Sequence, residues 1–107
     1  MSARRLRIIL TLDARKDLSD ILVYTEQQWG RQQRIAYKTL IQSTIRELSR
    51  FPMLGRTRDE LSAGLRSNLA GSHVIYYWVD NQALVVAHIL HSRRDIEGET
   101  WTKPDAL

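Results

Sequence analysis

The apolar positions of this chain change period twice. Around RIIL, residues 7–10, short length and β-branched content predict a strand, read from Leu6 to Leu12. From Ala14 the spacing turns helical, with Ala14, Leu18, Ile21, Leu22, Thr25 and Trp29 recurring three and four residues apart on one face. Thr11 or Asp13 is placed to cap this helix, and Asp13 and Asp17 sit where the helix dipole favours negative charge. Gly30 ends it. A second helix, Arg31 to Phe51, carries a stripe of Tyr37, Leu40, Ile41, Thr44, Ile45, Leu48 and Phe51 and stops at Pro52. So short a link makes the two a helical hairpin.

Beyond the loop FPMLGRTRDE the period becomes two. Strands are expected at Gly64–Leu69, His73–Val79 and Leu84–Leu90, joined by the turn compositions AGS and DNQ into an antiparallel meander. The predicted fold is α+β in the order β-α-α-β-β-β, a small antiparallel sheet with the helical hairpin on one face. It forms one domain over residues 1–107, with a core from about 6 to 95 and a polar tail, 96–107, around Ile96 and Trp101. Trp29, Leu18 and Ile45 are expected in the core, whereas Val23 and Ile35 lie off their stripes and should face outward. VIYYWV and LVVAHIL are apolar on both alternating faces, which a sheet covered on one side alone does not require. The second face therefore needs a cover: the tail, a second copy, or a partner.

Length and composition narrow the reading. At 107 residues the chain suits a single domain, and with no cysteine it must hold by packing, as in a reducing cytoplasm. The apolar run within MSARRLRIIL is too short for a signal-peptide core or a membrane span. The formal charge of +4 is unevenly placed, with arginines concentrated from Arg31 to Arg66 and acidic residues after Arg94. An acidic partner follows, either nucleic acid or an acidic protein segment.

The densest chemistry lies in HILHSRRD, residues 88–95. Metal-free RNA cleavage would need an acid and a base, for which His91 is available, cations for the phosphate, for which Arg66, Arg93 and Arg94 are available, and a stacking ring such as Tyr76 or Tyr77. The alternative for His91 is structural, with a hydrogen bond to Asp95 or to backbone at the strand end. His88 and His91 are three apart, which in a strand puts them on opposite faces, so no metal site is expected. Ser92, His91 and Asp95 are too close in one strand end to form a catalytic triad, and no glycine-rich phosphate loop is present, so no cofactor is expected.

Four segments, ARKDLSDILVYTEQQWG, LSRFPMLGR, LRSNLAGSHVIYY and ILHSRRD, in this order and spacing, resemble the ParE toxins of the RelE/ParE superfamily from about Leu10 to Asp95. The Asp17-Leu18-x-x-Ile21-x-x-Tyr24 pattern is unspecific alone. Pro52-x-x-Gly55, Gly64-Leu65-Arg66, His73 to Tyr76 and Leu90-His91-x-Arg93-x-Asp95 sharpen it. The resemblance implies a bacterial toxin that binds and inhibits DNA gyrase without catalysis and is neutralised by a ParD-like antitoxin, contacting DNA only through antitoxin or gyrase. It points to Arg66, His91, Arg93 and Arg94 as target contacts. An antitoxin segment wrapping the sheet and the helices would meet Val23, Arg31, Arg34, Ile35, Lys38, Tyr76 and Trp78. Two alternatives stand beside it: a RelE-like ribosome-dependent mRNA endonuclease, and a non-toxic antitoxin-bound subunit in promoter autoregulation. A doubly apolar sheet is also compatible with a homo-oligomer.

Overall fold

The computed structural model describes residues 5–104; the basic start of the chain up to residue 4 and the last three residues of the expected tail lie outside them. The elements run β1 (Arg7–Leu10), α1 (Leu12–Trp29), α2 (Arg31–Arg50), β2 (Arg56–Thr57), β3 (Arg66–Ala70), β4 (His73–Asp80) and β5 (Ala83–His91). They form one sheet in the order β1-β5-β4-β3-β2, with the helical hairpin on one face.

The α+β arrangement matches the expectation, with two corrections. The sheet is mixed, because β1 runs parallel to β5, from Arg7 opposite Ala83 to Leu10 opposite Val86. No local turn sets that direction; it comes from pairing two segments more than seventy residues apart. The second correction is β2, a two-residue strand paired with Arg66 and Ser67, too short to leave a period in the sequence.

Thr11 makes the turn from strand to helix. Its N–H donates to the Val86 carbonyl (3.1 Å), its hydroxyl donates to the Ala87 carbonyl (2.9 Å), and the same oxygen accepts the Ala14 N–H (3.0 Å). One side chain thus ends β1, caps α1 and ties both to β5. Leu12, expected in the strand, opens the helix and is exposed. At Gly30 the N–H donates to Glu26 and the carbonyl accepts from Arg34, closing one helix and opening the next at φ 94°, a conformation that favours glycine.

Between helices and sheet lies a core of Ala14, Ile41, Ile45, Leu48, Ile75, Tyr77, Leu84, Val86 and Ile89, with Leu18 and Ile21 packed against it. Trp29 is not part of it: 71% exposed, it stands on the turn by which α1 overshoots Thr25, its last buried residue. Phe51 and Leu40 of the predicted α2 stripe are exposed as well. Val23 and Ile35 face outward, as their off-stripe positions require.

The second face is buried too. Leu65, Tyr76, Trp78, Val85, Ala87 and Leu90 form a second core beneath Leu61, Ile96 and Trp101, so the chain's own loop and C-terminal segment supply the cover. At roughly 1.5–3 kcal/mol for each large side chain removed from water, this layer contributes to folding on the scale of the first.

β5 carries a bulge. Tyr77 pairs with Val86 and Tyr76 with His88, which leaves Ala87 as an extra residue. The extra residue reverses the alternation, so that Ile89 joins the helix-side core while His88 turns towards Trp101.

Candidate functional site

Past Leu10, β1 no longer covers β5, and the last residues of β5 are bounded instead by α1. Asp17 on α1 accepts the Ile89 N–H (3.0 Å) and binds His88 Nδ1 (2.9 Å), so one carboxylate closes an open strand edge and holds a histidine. Asp13 and Glu99 stand 3.8 and 3.9 Å from His88 Nε2. The hydrogen bond to Asp17 and then the surrounding carboxylates outweigh burial and raise the His88 pKa above its ordinary 6.5.

His73 is the opposite case. It pairs across the ladder with His91, and its ring sits edge-on between Tyr37 and His91, with centroids 5.4 and 5.3 Å away. Its Nδ1 lies 2.5 Å from the Tyr37 hydroxyl, which also accepts the Ser72 N–H. Burial, followed by the nearby His91, lowers its pKa. The Tyr37 hydroxyl also donates to the Ala70 carbonyl at 3.3 Å, and the tautomer of His73 sets which partner donates in the Tyr37–His73 bond. In a histidine NMR titration, His88 is expected to keep its proton above pH 6.5 and His73 to lose its proton below it. The reverse order would contradict both placements.

The strand end is shaped by its own backbone. Arg93 N–H donates to His91 Nδ1 (3.1 Å), and Arg94 N–H donates to the His91 carbonyl (3.0 Å). Of the two structural bonds expected for His91, the one to backbone is present, while Asp95 takes the Glu97 N–H instead. Arg93 and Arg94 are exposed, and Arg94 binds Glu99 at 2.6 Å. The two histidines of the motif do face opposite sides, His88 towards Trp101 and His91 towards His73. Among the described residues, no group of three or more histidines and carboxylates is placed to hold a metal ion.

Two grooves meet at Arg94. The smaller, about 230 Å³, runs between Asp20, Ile21 and Tyr24 of α1 and His73 and His91 of the sheet. The larger, about 640 Å³, opens on the other side, with Arg56, Arg58 and Arg94 around it, Leu54, Leu69, Val74 and Ile96 as apolar walls, and Tyr76 among its lining residues. The Arg58 guanidinium lies 5.6 Å from the Tyr76 ring centroid and binds Glu60 and Ser67. Arg56 and Arg58 were not singled out by the sequence reading. Their one signal was the RTR spacing after Gly55, which sends both side chains to one face once β2 is known to be a strand.

Arg66 does not join this cluster. It pairs with Tyr77, four residues along β4 from His73 and so roughly 13 Å down the strand from the level of His91. Its guanidinium donates to the Gly55 carbonyl at 2.6 Å and fixes a loop. Tyr76 and Trp78, expected to meet an antitoxin, are 4% and 1% exposed, because Ile96 and Trp101 of the same chain cover their face. On the helical hairpin, Val23, Ile35, Arg31 and Lys38 are exposed, and Arg34 is paired with Glu26 at 2.7 Å beside a groove lined by Leu22 and Val23. No described helix is long and apolar enough to cross a membrane.

Comparison with known proteins places this geometry. Residues 8–96 match the family model described as ParE toxin of type II toxin-antitoxin system, parDE. Toxin ParE1 of Caulobacter vibrioides is 37% identical over 82 residues, covering 77% of this chain and 84% of that protein. Toxin ParE1 of Mycobacterium tuberculosis is 33% identical over 92 residues, covering 85% and 94%. Among solved structures, a chain of the chromosomal ParDE system of P. aeruginosa superposes with a TM-score of 0.70 at 16% identity, over 81% of this chain and 96% of that one. A chain of the RelBE2 toxin–antitoxin complex of M. tuberculosis gives 0.60 at 24% identity, over 82% and 99%. Two helices on a five-stranded mixed sheet are thus a RelE/ParE-like fold, and with the match running through nearly all of the ordered core, the chain belongs to the ParE toxin family of type II toxin–antitoxin systems.

Proposed function

We propose that this toxin acts by binding DNA gyrase, as a recognition protein without catalytic chemistry, and that a ParD-like antitoxin neutralises it. The observation that carries the reading is the composition of the larger groove: three arginines line it, but neither a histidine nor a carboxylate does. Arg56 is exposed there, Arg58 and Arg94 are paired with Glu60 and Glu99 at its edge, and the usual proton-transfer groups are elsewhere. Arg66 clamps Gly55 and Tyr76 lies under Trp101, so of the set that RNA cleavage would use, His91 and Arg94 share the smaller groove while Arg66 and Tyr76 stand apart from it. Arg93 and Arg94 project from the strand end as target contacts, with His91 beside them. The antitoxin contacts are Val23, Ile35, Arg31, Arg34 and Lys38 on the helical hairpin.

The test is a supercoiling assay with purified toxin. Inhibition of gyrase, or accumulation of cleaved DNA, is the expected result, and changing Arg93 and Arg94 together to alanine should weaken it tenfold or more. Normal supercoiling at saturating, folded toxin rules the target out. A message cut in the ribosomal A site, with the cut lost on His91→Ala, would favour the endonuclease alternative instead.

A further inference from the structure

We propose that residues 96–104 are an internal ligand: they occupy a surface that takes an acidic and aromatic peptide segment of a partner protein, and they are displaced when that segment binds. The family match ends at residue 96, yet the chain continues across the second face of the sheet. Trp101 lies on Tyr76 and against His88, with ring centroids 4.9 and 5.3 Å apart. Two residues earlier, Glu99 places one carboxylate oxygen 2.6 Å from Arg94 and the other 3.9 Å from His88. A carboxylate two residues before an indole is therefore the pattern this surface recognises.

The manner of attachment makes exchange feasible. The segment adds no strand to the sheet; its backbone bond from the Glu99 N–H to the Ile96 carbonyl is local, and Lys103 reaches Asp80 only at 3.7 Å. Side chains hold it, so it can leave without breaking the ladder of β4 and β5. Its departure would bare the Tyr76 and Trp78 side chains beside the arginine-lined groove, an apolar floor with a cationic rim that water covers poorly. Charge complementarity selects an acidic segment over a basic one. Displacement would also release Arg94 from Glu99 at the junction of the two grooves. The inference does not depend on gyrase being the target.

A synthetic peptide of residues 95–104, DIEGETWTKP, serves as the probe against full-length protein in titration calorimetry. A variant carrying Glu99→Gln and Trp101→Ala is expected to bind the peptide at least tenfold more tightly than the wild type, whose site is filled. Adding Arg94→Ala should remove that binding. Equal binding to both proteins, binding to neither while both are folded by circular dichroism, or binding of an RNA or DNA oligomer in place of the peptide would overturn the proposal. Should the double variant not fold, hydrogen exchange on the wild type decides: amides of 96–104 exchanging at least a hundredfold faster than those of β4 and β5 support a separable segment. Exchange in step with the sheet overturns it.

Discussion

Gly55→Ala is expected to destabilise the protein by about 3 kcal/mol or more, a large part of the 5–15 kcal/mol typical of a small domain. Gly55 is buried in the loop between α2 and β2, and a Cβ there would overlap the Tyr77 hydroxyl and lie 2.8 Å from Tyr77 Cε1 and 2.9 Å from the Ser67 carbonyl oxygen. The constraint is close approach rather than backbone conformation. The Tyr77 hydroxyl is itself fully used, donating to the Pro52 carbonyl (2.6 Å) and accepting the Gly55 N–H (3.0 Å). Burial pushes the Tyr77 pKa up, which keeps that hydroxyl a donor. Tyr77→Phe alone should cost about 1–3 kcal/mol, because a buried N–H and a carbonyl lose their partner. The double variant should be less unstable than the sum of the two, since the overlap with the hydroxyl is gone while those with Cε1 and Ser67 remain. Urea midpoints measure all three; a Gly55→Ala protein within 0.5 kcal/mol of wild type would show that the loop yields freely. The site depends on the same packing, since this loop presents Leu54 to the larger groove and is held by Arg66.

Asp17→Ala should cost about 2–4 kcal/mol at pH 6, where it strands the Ile89 N–H and removes the counter-charge of a nearly buried His88. Asp17→Asn restores an acceptor without the charge and should fall between. The pH dependence has a definite sign. His88 binds its proton more tightly folded than unfolded, so its contribution is fully present below the ordinary 6.5 and is lost as pH rises through its raised pKa. The stability gap between wild type and Asp17→Asn should therefore narrow from pH 6 to pH 8.5. His73, with its pKa lowered, works the other way: as pH falls below 6.5 it withdraws stability in both proteins alike. A gap that widens with rising pH would refute the Asp17–His88 pairing.

Local chemistry was legible wherever one segment decides its own conformation. The two helices, Thr11 as a cap, Gly30 as the hinge between them and the β3-β4-β5 meander follow from periodicity and turn residues. Leu18, Ile21 and Ile45 were placed correctly, and Trp29 was not, because a stripe says which face is apolar and not where the sheet beneath it stops. Of the strand-end motif, the backbone role open to His91 and the opposed faces of the two histidines could be read in advance.

What the chain decides by itself is therefore the set of elements, their apolar faces and its family, since these depend on residues near one another and on motifs kept in order. Only the tertiary structure decided that β1 runs parallel to β5, that Ala87 bulges, and that Arg56 and Arg58 share a groove with Arg94 while Arg66 does not. It also decided that the second apolar face belongs to the chain's own Ile96 and Trp101. Each of these joins segments far apart in sequence, and such contacts form only when burial and hydrogen bonding across the whole domain outweigh the entropy of closing the chain between them.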